Sequence, residues 1–281
     1  MRGSDPVSRL GLIAGCGSLP GQAARLLRAS TMVAAIAFEG VTDPALASEV
    51  DELRWHRLGQ LEAAAASLRA MAVQQILLVG AIPKQVLFDG SGRIEPDRAA
   101  SALLAGLVGW QDDALFSVLA SWLEGQGFAI ARQDLLLAEL IVREGPWSSR
   151  ALGPDEQTDL AIGLRALAAL GASGTGQCVV VRHGCVVAVE AAEGTDATIR
   201  RAGEVAGPGA TVVKGLRTGQ DRRFDLPAVG PGTIAAMVEA QASCLAVEAG
   251  ATLVLDLEAT RTLADRAGIA CTGFAPARVA S

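Results

Sequence analysis

The chain has almost no lysine. Lys and Arg together number 24, yet only Lys84 and Lys214 are lysine, leaving 22 arginines. Tyrosine is absent and aromatics make up 4%. Two histidines are too few for a His-rich metal site. The five cysteines show no C-x-x-C spacing and are odd in number, which excludes a disulfide framework and points to free thiols in a reducing compartment. No apolar run approaches the ~18 residues that a membrane-spanning helix needs. Positive charge is not in excess: the net charge is -6, with a pI near 5.1. That excludes a broad basic face for nucleic acid. The polar start, Met1 to Arg9, predicts no secretory signal, so a cytoplasmic protein is expected.

What is present is alanine. It accounts for 53 of the 281 residues, and hydrophobic residues reach 51% at a mean hydropathy of +0.36. Much of that apolar content is small side chains. The length suits one large or two ordinary domains, with a core that needs no covalent staple. Arg and Lys differ where a compact ammonium must sit against one group, so the two lysines draw attention.

The apolar pattern predicts strands at Leu10–Gly15, Met32–Phe38, Ile76–Gly80 and Phe128–Ala131, with helices near 21–29, 61–72 and 112–124. This alternation predicts an α/β fold with a helix-covered parallel sheet of Rossmann-like type. Gly145, Pro146, Ser148, Ser149, Gly153 and Pro154 mark a linker over 145–155, dividing an N-terminal domain (1–144) from a distinct C-terminal α/β domain (156–281). In the second domain the pattern predicts a helix over 155–170 and a hairpin turning at His183-Gly184. A helix follows Gly194, then a strand at 211–214, a long helix over 233–249 and a strand-helix pair from Leu253.

Several stretches could carry chemistry. Gly15-Cys16-Gly17-Ser18-Leu19-Pro20 ends the first strand, where glycines and a helix N-terminus can receive phosphate. Pro20 stands at the third glycine position of a dinucleotide fingerprint, and Glu39 lies where a ribose acid would. A nucleotide site without NAD suits this loop, and so does a plain tight turn. Lys84 follows the strand ending at Gly80, either as a phosphate contact or as a solvated loop residue. Asp112-Asp113 could hold Mg2+ or could cap a helix. Thr195 suits an N-cap and Asp196 an i,i+4 pair with Arg200. Alternatively, Arg200 and Arg201 face a phosphate while Glu193 and Asp196 face a metal.

The densest stretch is Lys214 to Pro227. Lys214, Arg217 and Arg223 can neutralise a pyrophosphate, and Asp221 and Asp225 can bind Mg2+ or orient water. A plain charged loop is the competing reading. His56, in a polar stretch that reads as helix, and His183, in a turn, leave no Ser-His-Asp arrangement. Cys178, Cys185, Cys244 and Cys271 read as small core hydrophobes. Asp256 reads as the N-cap of the last helix.

Taken together, these segments resemble the LpxI-type UDP-2,3-diacylglucosamine pyrophosphatases of lipid A synthesis, over about residues 9 to 275. The most specific parts are Glu193-Gly194-Thr195-Asp196 with Arg200-Arg201, and Lys214 through Gln220-Asp221, Arg223-Phe224-Asp225, Pro227, Gly230 and Thr233. The Gly15–Pro20 loop, Gly80 with Lys84, and Asp112-Asp113-Ala114-Leu115 match in order. Arg217 stands where the family usually has lysine, Trp110-Gln111 where it has Lys-Gly, and Thr198 where Met is more usual.

The resemblance implies hydrolysis of UDP-2,3-diacylglucosamine to UMP and 2,3-diacylglucosamine 1-phosphate (lipid X) with Mg2+ or another divalent cation. Asp225 would be the prime catalytic position, assisted by Asp221 and Lys214. Gly15, Gly17, Ser18, Leu19, Pro20, Lys84, Asp113, Thr195, Arg200, Arg201, Arg217, Gln220 and Arg223 would contact substrate. Asp225, Asp221, Asp196 and Glu193 would be the metal candidates. It further implies a substrate held between two domains, a domain-exchanged homodimer and room for peripheral contact with the inner membrane. Two acyl chains at about 0.8 kcal/mol per buried CH2 demand an apolar tunnel or interdomain cavity. A two-domain lipid or nucleotide-sugar carrier without chemistry is the alternative. A carrier gains little from carboxylates beside a phosphate.

Overall fold

The structure is a computed structural model and describes residues 9–82, 94–107, 112–217 and 219–275, without the side chains of residues 112, 113 and 172. The chain divides into two compact units. The first comprises residues 1–138 together with Asp221–Asp225, and the second comprises 139–220 and 226–281.

The first unit is built on β1 (Arg9–Ala14), β2 (Met32–Phe38), β3 (Glu52–His56), β4 (Gln75–Val79) and β5 (Ala129–Ile130). All pairings are parallel, in the order β3-β2-β1-β4-β5. β2 (Met-Val-Ala-Ala-Ile-Ala-Phe) is buried after its first residue, as befits a strand covered on both faces. Helices α1 (Leu19–Leu27), α2 (Leu61–Ala70), α3 (Arg98–Ala105), α4 (Asp112–Gly125) and the single turn α5 (Gln133–Leu136) accompany the sheet. The order is that of a Rossmann-like half. The stretch containing His56 forms edge strand β3, not the expected helix, because Glu52–His56 pairs with Ala34–Phe38.

The second unit holds a mixed sheet. Its strands are β6 (Gly145–Pro146), β7 (Cys178–Arg182), β8 (Cys185–Val189), β9 (Thr211–Lys214), β11 (Cys244–Glu248) and β13 (Ala270–Phe274). Their order is β6-β13-β11-β9-β7-β8, parallel at β13-β11-β9 and antiparallel elsewhere. A small parallel pair, β10 (Ala228–Val229) with β12 (Leu253–Val254), lies apart. Its helices are α6 (Pro154–Ser173), α7 (Thr195–Ala206), α8 (Pro231–Glu239) and α9 (Leu257–Arg266). Asp256 stands at the N-cap position of α9, in the left-handed region at φ 43° and without a side-chain hydrogen bond to the helix start.

Two expectations change here. The long helix over 233–249 is two elements: α8 ends at Glu239, and Gln241 at φ 52° turns the chain into β11. The apolar run Cys-Leu-Ala-Val is a fully buried central strand, which periodicity cannot distinguish from buried helix. The breaker-rich linker is also part of the second unit. Gly145 and Pro146 pair with β13, and Trp147 packs on the core. The Ser149 amide and hydroxyl donate to Asp265, and Arg150 pairs with Glu156.

Candidate active site

In the first unit, the Gly15–Pro20 loop closes tightly on Gly80-Ala81. The Gly15 amide donates to the Val79 carbonyl and the Cys16 amide to the Ala81 carbonyl, both at 2.8 Å. A Cβ on Gly15 would lie 2.4 Å from the Ala81 oxygen, so the turn requires glycine. Those two amides are therefore engaged and cannot cradle a phosphate. Gly17 (φ 90°) and Ser18 are exposed at the start of α1. Together with Pro20, Arg25, Thr42 and Asp43 they rim a polar cleft of about 430 Å³ at the carboxyl ends of β1 and β2. Leu19 and Pro20 are buried. The Glu39 carboxylate sits 3.6 Å from Arg57 at an exposed position. Lys84 lies outside the described residues. Asp112 and Asp113 open α4, and their side chains lie outside the described set.

Beneath this loop lies an apolar chamber. Leu58, Ile82, Ala100, Leu104, Val118 and Leu119 are among the residues around a space of about 800 Å³. A second space of about 590 Å³ shares Leu58, Ile82, Phe116 and Leu119 and reaches Gly15 and Gly80. These apolar spaces lie inside the first unit, from the β1 and β4 strand ends to α3 and α4.

The Asp221–Asp225 segment packs in this same unit. Phe224 is 0% exposed within its core, with its ring centroid 5.4 Å from that of Phe116. The Arg223 carbonyl accepts from the Gln133 amide, and Gln133 Nε2 donates to Leu78 O at 2.7 Å. Arg223 forms a fork with Asp221 (2.8 and 2.9 Å), also pairs with Glu124, and covers the Phe224 ring. Burial pushes the Asp221 carboxyl up, but hydrogen bonds from the Arg223 side chain and amide outweigh it and hold Asp221 below the usual carboxylate range. Asp221 and Arg223, expected to serve metal and phosphate, are paired with one another. Asp225 follows in the left-handed region at φ 61°. Such a backbone is uncommon for a non-glycine residue and clusters at functional sites.

In the second unit, three elements converge at the carboxyl end of β9. Lys214, 5% exposed, donates to Thr195 Oγ1 and to the Ala228 carbonyl, each at 2.8 Å. The N-cap of α7 is Gly194 at φ 82°, which puts Thr195 at the first helical position rather than at the expected cap. Asp196 lies one residue on, with Oδ2 3.6 Å from where a Cβ on Gly232 would sit, so it faces the start of α8. A buried lysine beside the glycine-capped N-terminus of α7 is a setting that favours an anion.

The arginine pair is engaged with other partners. Arg200 pairs with Glu239, not Asp196, and Arg201 with Glu193 at 2.7 Å and the Val189 carbonyl. Burial raises Glu193, yet its own backbone hydrogen bond and Arg201 bring it below the usual range. Arg217 and Gln220 are buried in a turn that closes on itself: the Arg217 amide donates to Gln220 Oε1, and the Gln220 amide to the Arg217 carbonyl. Cys178, Cys244 and Cys271 are buried, whereas Cys185 is exposed.

Sequence reasoning missed Glu190. It directly follows β8, is 7% exposed, and accepts from Thr195 Oγ1 at 2.8 Å and the Gln177 amide at 3.1 Å. Its one signal was an acid ending an apolar strand just before Glu193-Gly194.

Among the described residues, no three His, Cys, Asp or Glu side chains gather closely enough to hold a metal. Two of the four expected ligands, Asp221 and Glu193, are bound to arginine. Mg2+ needs only one or two carboxylates when phosphate oxygens complete its shell. The donors therefore fit an ion borne by a pyrophosphate and touched by a single carboxylate, such as Asp225 or Asp196. They do not fit a protein-built cage.

The family model for the LpxI N-terminal domain matches residues 9–140, and that for the LpxI C-terminal domain matches residues 143–272. The chain belongs to the LpxI family. It is 29% identical over 285 aligned positions to UDP-2,3-diacylglucosamine pyrophosphatase LpxI of Caulobacter vibrioides, covering 95% of this chain and 98% of that one. A solved structure of the biotin carboxylase subunit of pyruvate carboxylase matches at 13% identity and a TM-score of 0.27. That match covers 72% of this chain and 43% of that one, and at that score the likeness carries no argument. The LpxI match spans both units, so the Lys214 pocket and the Asp225 segment both lie inside it.

Proposed function

We propose that this chain hydrolyses the pyrophosphate bond of UDP-2,3-diacylglucosamine, yielding UMP and 2,3-diacylglucosamine 1-phosphate. The observation that carries the reading is the LpxI match running in order through both units. Two features of the molecule suit this substrate. An apolar chamber in the first unit can take acyl chains, each methylene favouring burial by about 0.8 kcal/mol. A buried ammonium at the α7 N-terminus in the second unit can take a phosphate.

In the reaction, water adds to one phosphorus and the bridging oxygen leaves on the other. Negative charge grows on the leaving phosphate, and Lys214 beside the α7 N-terminus stabilises it. Asp225 orients the water and accepts its proton. Asp221 holds Arg223 in place and is not the base. Mg2+, when bound, supplies neutralisation of the pyrophosphate charge.

The test is UMP release from UDP-2,3-diacylglucosamine, with Mg2+ and with chelator. Turnover that needs the ion and fails in Asp225→Ala is expected. Intact substrate persisting with wild-type protein would overturn the function, and full activity in the variant would overturn the role of Asp225. A domain-exchanged homodimer and peripheral contact with the inner membrane belong to the proposal as well. Light scattering reads the dimer and vesicle flotation the membrane contact.

A further inference from the structure

Lys214 is held by a chain of groups, not by one contact. Its ammonium has three N–H donors and no acceptor. Two are used, on Thr195 Oγ1 and on the Ala228 carbonyl. Because Lys214 donates to Thr195, that hydroxyl must turn its own proton elsewhere, and it lies 2.8 Å from Glu190 Oε1. The other Glu190 oxygen accepts from the Gln177 amide, which fixes the carboxylate at the end of β8. The backbone reinforces the arrangement. Cys178 pairs with Lys214 across β7 and β9, and the Glu190 amide donates to the Cys178 carbonyl at 2.9 Å. Glu190, Thr195 and Lys214 thus hang from one corner of the sheet.

A carboxylate bound directly to the ammonium would compete with a phosphate for it. Placed one hydroxyl away, it fixes the direction of the lysine without occupying the remaining N–H. We propose that Glu190 is a positioning residue for the phosphate transfer, acting through the Thr195 hydroxyl to aim Lys214 at the phosphate. The inference rests on the proposed pyrophosphatase reading, since it assigns Lys214 a phosphate. The geometry also suits lysine better than arginine at position 214. A guanidinium fork cannot place a single compact charge on both acceptors.

The test uses Glu190→Gln, which keeps both acceptor oxygen and size, and Thr195→Val, with Thr195→Ser as the conservative partner. For Glu190→Gln, kcat should fall about tenfold or more while KM changes by less than about twofold, because Lys214 acts on charge that grows in the transition state. In a Lys214→Met background the same change should cost less than about twofold, since both alter one unit. Thr195→Val should lose activity and Thr195→Ser regain most of it, which also serves if Glu190→Gln fails to fold. An equal loss in both backgrounds, or none in either, would overturn the proposal.

A second readout does not require turnover. Protein labelled with ¹⁵N-lysine carries two ammonium groups, and the Lys214 signal should move in both Glu190→Gln and Thr195→Val. If the wild-type protein releases no UMP, the pyrophosphatase reading fails, and this signal still decides the relay. An unmoved signal in both variants refutes it.

Discussion

Asp225 and Lys214 carry the residue-scale argument, and each predicts a distinct failure. Asp225 sits at φ 61°, a conformation that asparagine tolerates. Asp225→Asn should therefore keep its melting temperature within a degree or two while UMP release drops roughly 100-fold or more, the usual loss for a removed acid-base group. A variant that melts early would instead mark Asp225 as a backbone residue. Lys214→Arg preserves charge, yet should lose at least about tenfold in kcat/KM, because the fork cannot reproduce the two short contacts of the ammonium. Retained activity would show that charge alone suffices. Both positions were legible in the sequence, Lys214 at a strand end and Asp225 in the charged loop that follows it. The partners were not, because hydrogen-bond geometry has no sequence spacing: Glu190 stands 24 residues from Lys214 and meets it only through Thr195.

At the scale of elements, segments that look like loops are held by a few anchors. Phe224 fixes the Asp221–Asp225 segment in the core of the first unit. Phe224→Ala should cost about 3–5 kcal/mol of stability. It should also lower activity at temperatures where far-UV circular dichroism still reports a folded chain, because Asp225 loses its anchor.

The 145–155 segment is held by Glu156, which accepts from the Gly153 amide, from Ser243 and from Arg150. Burial raises the Glu156 carboxyl, and Arg150, Ser243 and the Gly153 amide together bring it below its ordinary value. A depressed folded-state pKa gives stability that is present above the unfolded value and lost as pH falls through the folded one. Glu156→Gln should thus destabilise the protein by about 1–3 kcal/mol at pH 7, and the gap to wild type should narrow below pH ~4. Urea titrations at both pH values check the sign. Glycine and proline clustering suggested a tether here, but breaker residues report local backbone shape and say nothing of side chains that staple it.

For the molecule as a whole, the apolar chamber predicts a dependence on acyl length. The kcat/KM for UDP-diacylglucosamines should rise with chain length until the chamber is filled, and Val118→Trp should flatten that rise while sparing short-chain analogues. A slope unchanged by the tryptophan would place the acyl chains elsewhere.

By itself the sequence determined the alternation of strands and helices, the two α/β halves, the net negative charge and the lysines as singular positions. These are local or additive properties, written in residue period and composition. Tertiary structure decided the rest. It placed the 221–225 segment with the first unit, split one apolar run into α8 and β11, and paired Arg223 with Asp221 and Arg201 with Glu193. Which cation meets which carboxylate depends on distances between elements far apart in the chain. A charged side chain takes the nearest partner in space, not the one its motif suggests.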